Sequence, residues 1–286
     1  MALDTLKLPG VLGDLGRELL LAIDLARAAG AEAVRIRAGG ALGIEMKPGD
    51  EPVTIADRAA SDMIVAGIAA HFPADPVISE EAVPTAAALT ARRAWLIDPI
   101  DGTKDFIRGA DGFSVMIGLL VEGRPALGVV YQPTLGRTFF ATPGGGAHVA
   151  TEAAVVPLVV STVALAADAR LVSSASHRSA DVERVKSTLA ISDEQQIGSV
   201  GVKLCLIASG VRDLYVNPTS RTKAWDTCAP EAILARAGGR LSDVFGAPLV
   251  YGAELARTRG LVGSNGRVHD EVVGRIGPLF EKLRTA

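Results

Sequence analysis

Leu12, Leu15, Leu19, Ile23 and Ala26 recur every three or four residues across 11–34, while Asp14, Arg17 and Arg27 fall elsewhere. That stripe predicts an amphipathic helix. Gly39-Gly40 and Lys47-Pro48-Gly49-Asp50 then mark a loop or loose hairpin. Met63, Ile64 and Ile68 give a second helix its apolar side, over about 54–72. Short apolar runs at 77–78 and 94–97 read as strands, followed by further strands at 113–122, 126–132 and 137–141. Gly123 and Pro133-Thr134 split that set, and a hairpin from Gly144 to about Pro157 closes it. Two helices followed by consecutive strands predict an α+β half with a largely antiparallel sheet.

From there the pattern alternates. Strands are expected at 170–173, 214–216 and 260–262, and helices at 180–189, 200–209, 226–237 and 268–283, an α/β order. The chain thus divides into an α+β unit over 1–157 and an α/β unit over 158–286. No repeat or low-complexity linker separates them, so a shared interface is expected, with a cleft as the default ligand site.

Composition narrows the function. A formal charge of −3 with no long basic run argues against a nucleic-acid polymer as partner. Small anions remain open, because a metal or helix end can attract them whatever the net charge. Apolar runs such as 155–166 carry Pro157 and are too short to span a bilayer. The start lacks a basic-then-apolar leader, and Cys205 and Cys228 read as buried free thiols, so a cytoplasmic protein is expected.

The chemistry concentrates in Trp95-Leu-Ile-Asp98-Pro99-Ile100-Asp101-Gly102-Thr103. A strand delivers Asp98, Pro99 is expected to end its ladder for want of an N–H, and Gly102 permits a sharp turn. Two carboxylates with a carbonyl between them make hard oxygen ligands for Mg²⁺. The N–H groups that open the next helix, with Gly102 and Thr103, suit a phosphate oxygen. Three more acidic positions stand at element ends: Asp57 after Pro52-Val-Thr-Ile-Ala, Glu80-Glu81 after Val77-Ile78, and Asp226 after Trp225. Singly, each is an ordinary helix-start or loop acid. Together they collect in a chain with no Cys/His zinc pattern.

Glu80-Glu81, Asp98-Pro-Ile-Asp-Gly-Thr103 and Trp225-Asp226 resemble, in order and spacing, the inositol monophosphatase superfamily, over most of the chain. The resemblance implies a layered α-β-α-β-α fold, two or three Mg²⁺ ions and a small phosphorylated metabolite as substrate. Relatives often dimerise, so a homodimer stays open. It further implies that Glu80, Asp98 and the Ile100 carbonyl hold one metal, and that Asp98, Asp101 and Asp226 hold another. Thr103, bonded to Asp57, would activate the water, and Glu81 would assist from behind.

Within that superfamily, Asp-Gly-Thr-Lys104-Asp105-Phe106, Trp225-Asp-Thr-Cys-Ala-Pro230 and Ser174-Ala-Ser176-His177 look like the 3′(2′),5′-bisphosphate nucleotidases. Ala175 departs from the arginine usual there. Gly198-Ser199-Val-Gly-Val-Lys203 resembles a segment that contacts ribose and phosphate, with a slightly different spacing. Gly102, Thr103, Ser176, His177, Lys203 and Asp226 are therefore the expected substrate contacts, with Arg178 and Arg221 as further candidates for a second phosphate. Taken alone, Lys203 reads equally as a solvated helix lysine. Adenosine 3′,5′-bisphosphate is the expected substrate. The alternatives are an inositol or sugar (fructose 1,6-) phosphatase and a non-catalytic nucleotide- or metal-binding relative.

Overall fold

A computed structural model describes residues 12–175, 180–252 and 254–284. In chain order the elements are α1 Gly16–Ala38, β1 Glu45–Lys47, β2 Glu51–Val53, α2 Ile55–His71, β3 Val77–Ser79, α3 Ala86–Thr90, β4 Ala94–Asp101 and α4 Thr103–Ile107. Then come β5 Ser114–Val121, β6 Arg124–Gln132, β7 Arg137–Thr142, β8 Gly146–Ala150, β9 Val155–Pro157, β10 Leu171–Ser174, α5 Ala180–Leu189 and β11 Glu194–Ile197. The chain continues with α6 Val200–Ala208, β12 Leu214–Asn217, α7 Ala224–Arg236, β13 Arg240–Ser242, β14 Leu261–Ser264 and α8 His269–Ile276.

β3 to β9 form a seven-stranded sheet in sequence order, antiparallel except for the β3–β4 pair. A second sheet runs β11-β10-β12-β14-β13, with β10 parallel to both neighbours. The alternation in β5 explains the layering. Val115, Ile117 and Leu119 pack with Leu19, Ile23 and Ile64 of α1 and α2. Met116 and Leu120 point the other way, into a core shared with Leu204 and Ile207 of α6, Cys228 and Ile233 of α7, and Val172 and Leu261 of the second sheet. The far face of that sheet buries Val182, Val185, Val272 and Ile276 of α5 and α8. The order is α-β-α-β-α, and strands buried on both faces read as continuous apolar runs.

Helix α7 sits unusually close to the large sheet. Gly118 of β5 and Gly128 of β6 are register partners beneath it. A Cβ at Gly128 would lie 2.0 Å from the Ala229 carbonyl oxygen, and one at Gly118 would lie 2.6 Å from the Cys228 sulfur. The missing side chains let the helix descend, and so bring its N-terminus towards the end of β4. Both cysteines are buried free thiols, as expected.

Some expectations need correction. β4 does not end at Pro99; it runs on to Asp101, with the register shifting between Asp98 and Asp101. The proline's missing N–H falls in that irregularity, so the bulge absorbs it. α7 begins at Ala224, which makes Asp226 its third residue rather than its cap. The last helix breaks at Ile276 into a 3-10 stretch, where Pro278 has no N–H to continue the α pattern. Strand β11 escaped notice because Glu-Gln-Gln-Ile has no apolar alternation; α3 and β13 are simply short.

Behind the second sheet, His269 is buried between two serines. Ser242 Oγ donates to the Asp243 carbonyl, so it accepts from Nε2 at 2.9 Å. Ser264 Oγ, which accepts from the Gly266 N–H, donates to Nδ1 at 2.8 Å. The ring is thereby held neutral, and burial pushes its pKa down to about 4.

Two outcomes are expected. Gly128→Ala should lower the urea midpoint, at a cost of roughly 1–3 kcal/mol for the overpacked helix. The unfolded chain protonates His269 near pH 6.5 while the folded chain resists until about 4, so stability is full above 6.5 and falls as pH drops through that window. The loss should be on the order of 2 kcal/mol, allowing for screening at the nearby surface. Urea unfolding at pH 6.5 and 4.5 measures it, and His269→Gln should show a flatter difference.

Candidate active site

The N-terminus of α2 is built as a capping box. Thr54 Oγ accepts from the Ala56 N–H, while Asp57 Oδ2 accepts from the Thr54 N–H at 2.8 Å and hydroxyl at 2.6 Å. This leaves Asp57 Oδ1 turned to Thr103, whose hydroxyl lies 3.3 Å away. The same hydroxyl is 3.0 Å from the Ile100 carbonyl. One hydrogen cannot serve both, and distance favours Ile100. Thr103 stands at the start of α4, after a Gly102 held at φ +92°. A Cβ on Gly102 would lie 2.8 Å from the Gly112 oxygen and 3.0 Å from the Ser199 nitrogen, so only glycine turns the chain here.

The bulge of β4 presents the next two acids. Asp98 Oδ1 accepts from the Ile100 N–H at 3.1 Å. Asp101 Oδ2 accepts from the Ser199 hydroxyl at 2.5 Å and the Gly201 N–H at 2.7 Å, across to the first turn of α6. On α7, Asp226 Oδ2 accepts from the Lys223 N–H at 2.6 Å. Glu80, past the end of β3, is held at 3.1 Å by Lys47 from the β1–β2 hairpin, and Lys47 also reaches Glu81 at 2.5 Å. Glu81 is therefore tied to that hairpin lysine.

These acids perturb one another. Burial raises the carboxyl of Asp98 far above its ordinary range, and Glu80, Asp101, Asp226 and Asp57 raise it further. Asp226 is raised by burial and then by Asp101 and Glu80. Glu80 is pushed up to about 7 by burial, although Lys47 opposes the shift. Asp57 and Asp101 are likewise raised by burial. Among the described residues no three of them converge as a ready-made metal cage; they line an acidic bowl. Five carboxylates oppose only Lys47 and Lys203 there, and all the donors are oxygens, including the Ile100 carbonyl. That excess of hard anionic oxygen fits divalent cations of the Mg²⁺ kind.

The acids open onto a cleft of about 480 Å³ whose walls come from both halves of the chain. Glu80, Asp98, Asp101 and Asp226 line it together with Tyr215, Asn217 and Trp225 and with Lys104, Arg221 and Lys223. None of these three cations has an ion-pair partner among the described residues. Lys104 is not paired with Asp105, whose carboxylate instead accepts from the Gly198 N–H at 2.9 Å and faces Arg108.

Lys203 overturns the solvated-lysine reading. It is 1 % exposed, donates to the carbonyls of Ile197 at 3.1 Å and Gly198 at 2.7 Å, and lies over the Tyr215 ring. Burial draws its pKa down to about 8, against the pull of Asp101 and Asp105. The positive end of α6, expected to face a substrate phosphate, is occupied by Asp101. Ser176, His177 and Arg178 lie outside the described residues.

The inositol monophosphatase family profile matches residues 16–277. The chain belongs to the inositol monophosphatase family. A 3′(2′),5′-bisphosphate nucleotidase CysQ of Aggregatibacter actinomycetemcomitans is 36% identical over 234 residues, covering 80% of this chain and 85% of that one. A histidinol-phosphatase of Mycobacterium tuberculosis is 34% identical over 264 residues, covering 91% and 97%. Among solved structures, an IMPase of Thermotoga maritima superposes with a TM-score of 0.79 at 29% identity, covering 93% of this chain and 99% of that one. Members of the inositol monophosphatase family are metal-dependent phosphatases, so the protein is a hydrolase of phosphate esters. No helix among the described residues is long and apolar enough to cross a membrane.

Proposed function

We propose that the protein is a 3′(2′),5′-bisphosphate nucleotidase that converts adenosine 3′,5′-bisphosphate to AMP and phosphate. The observation that carries this reading is the make-up of one cleft: it is lined by the carboxylates and also by Lys104, Arg221 and Lys223, which have no ion-pair partner among the described residues. A substrate with two phosphates matches both sets of groups. The scissile phosphate would lie against the acids and the cations they would hold, and the second phosphate would take charge-assisted hydrogen bonds from the basic side chains. Trp225, which also lines the cleft, offers apolar surface to the nucleoside.

Glu80, Asp98 and the Ile100 carbonyl would hold one Mg²⁺; Asp98, Asp101 and Asp226 would hold the other. When bound, Mg²⁺ supplies Lewis acidity that lowers the pKa of water and offsets charge on the leaving oxygen. The chain's own groups do the rest. Thr103 Oγ accepts the proton of the attacking water and passes its own to Asp57 Oδ1, leaving its bond to Ile100. The capping box keeps Asp57 oriented for that transfer through the two bonds from Thr54. The backbone N–H groups of Gly102 and Thr103 face the phosphate oxygens. Lys47 holds Glu80 and Glu81 together through its two ion pairs.

Histidinol phosphatase is a second reading, because such relatives match more of the chain. Histidinol phosphate brings an ammonium group to a cleft lined by three cations that have no ion-pair partner among the described residues, which disfavours it. Phosphate release from adenosine 3′,5′-bisphosphate, histidinol phosphate, inositol 1-phosphate and fructose 1,6-bisphosphate, with EDTA controls, separates these. The highest kcat/KM is expected for the adenosine compound; a preference for histidinol phosphate would replace the proposal.

Arg221→Ala should raise KM for adenosine 3′,5′-bisphosphate about 10-fold or more, the worth of one charge-assisted bond. KM for inositol 1-phosphate should change little. Thr103→Ala should cut kcat by roughly 10²-fold or more for loss of proton transfer, with little change in the Mg²⁺ concentration for half-maximal rate. A wild-type rate in Thr103→Ala would remove Thr103 from the reaction.

A further inference from the structure

Asp101 is contributed by β4, yet what fixes its carboxylate comes from α6, about 100 residues further on in the second half of the chain. Ser199 caps α6: its Oγ accepts from the Val202 N–H at 2.9 Å. The same Oγ donates its single hydrogen to Asp101 Oδ2. Ser114 Oγ, 2.9 Å from Ser199 Oγ, must then be the donor of that pair. The resulting relay, Ser114 to Ser199 to Asp101, lies wholly out of solvent: both serines are 0 % exposed and Asp101 7 %. The Gly201 N–H completes the grip on Oδ2 at 2.7 Å. The Val200 N–H also bonds the carboxylate, and Asp101 lines the cleft.

The surroundings leave this arrangement no slack. A Cβ on Gly201 would meet the Met116 sulfur at 2.3 Å and Ser114 Oγ at 3.2 Å, so a larger residue there would push Met116 aside. The Ser199 N–H donates to the Gly112 carbonyl at 2.8 Å, and the Gly198 N–H to Asp105 Oδ2 at 2.9 Å. Lys203 secures the turn before α6 through the carbonyls of Ile197 and Gly198. The α6 start that holds Asp101 is therefore itself fixed by Gly112, Asp105 and Lys203.

We propose that Ser199, backed by Ser114, is a positioning residue for cation binding. It holds the Asp101 carboxylate against the first turn of α6, so that the group is presented to the cleft in a fixed direction, and it makes cation affinity depend on how the second half seats against the first. This rests on the reading of Asp101 as a metal ligand. Partners behind a ligating carboxylate commonly change metal affinity 10- to 100-fold when removed, and an orienting role predicts a loss of that order.

The test measures Mg²⁺ binding to the substrate-free protein by isothermal titration calorimetry, beside thermal unfolding without metal and rates across a Mg²⁺ series. Native protein is compared with Ser199→Ala, Ser114→Ala and Asp101→Asn. Ser199→Ala should raise the Mg²⁺ Kd about 10- to 100-fold and shift the Mg²⁺ needed for half-maximal rate in step, while kcat at saturating Mg²⁺ falls far less. Ser114→Ala leaves the cap and the Asp101 bond in place, and should raise the Kd several-fold with little change in Tm. If Asp101→Asn weakens binding but both serine variants stay within about two-fold of native, or if Ser199→Ala lowers Tm alone, Ser199 is only a helix cap and the proposal fails. If Ser199→Ala does not fold, an unchanged Kd in Ser114→Ala overturns it equally. A native Kd in Asp101→Asn would instead sink the metal-ligand reading on which it rests.

Discussion

Mutual repulsion among half-buried and buried carboxylates is the constraint around which this protein is arranged. Asp57, Glu80, Asp98, Asp101 and Asp226 come from three separate elements and the loop after β3, yet they raise one another's proton affinity in one bowl. Left to relax, such a cluster would splay. Each member is instead held by a local donor: the Thr54 cap on Asp57, the Ile100 N–H on Asp98, the α6 terminus on Asp101, the Lys223 N–H on Asp226 and Lys47 on Glu80. The energy needed to gather the acids is supplied by the cores behind them, and a divalent cation relieves the repulsion when it binds.

The layered architecture serves that purpose. The same buried face of the large sheet carries α6 and α7, whose first turns both end at the acids. Helix N-termini carry partial positive charge, so aiming two of them at one cluster offsets part of the repulsion. The glycine pair Gly118 and Gly128 matters for the same reason: it sets the depth of α7 and hence the position of Asp226. Function here depends on backbone proximity as much as on side chains.

The cleft also has to reconcile two tasks. Binding cations needs an excess of acids, and binding a second anion needs bases that those acids do not neutralise. Lys47 is engaged by carboxylates and Lys203 by carbonyls, whereas Lys104, Arg221 and Lys223 line the cleft without an ion-pair partner among the described residues.

Much of this was legible along the chain. The apolar stripes of α1 and α2, the strand succession and the order of Asp57, Glu80, Asp98, Asp101 and Asp226 are local or periodic features, and a residue's type with its neighbours is enough to define them. So was the turn at Gly102, since a positive φ restricts the residue itself. The partners that fix the acids were not legible. Lys47 meets Glu80 across 33 residues and Ser199 meets Asp101 across 98, and no local pattern encodes which hydroxyl or amide closes such a gap. Lys203 shows the difference most plainly: as a letter in a helix it is a solvent-facing cation, and only the packing of α6 between two sheets made it a buried brace. Sequence determined which groups were available and in what order; tertiary structure decided which were free to act, because burial and long-range hydrogen bonding assign each donor to one acceptor.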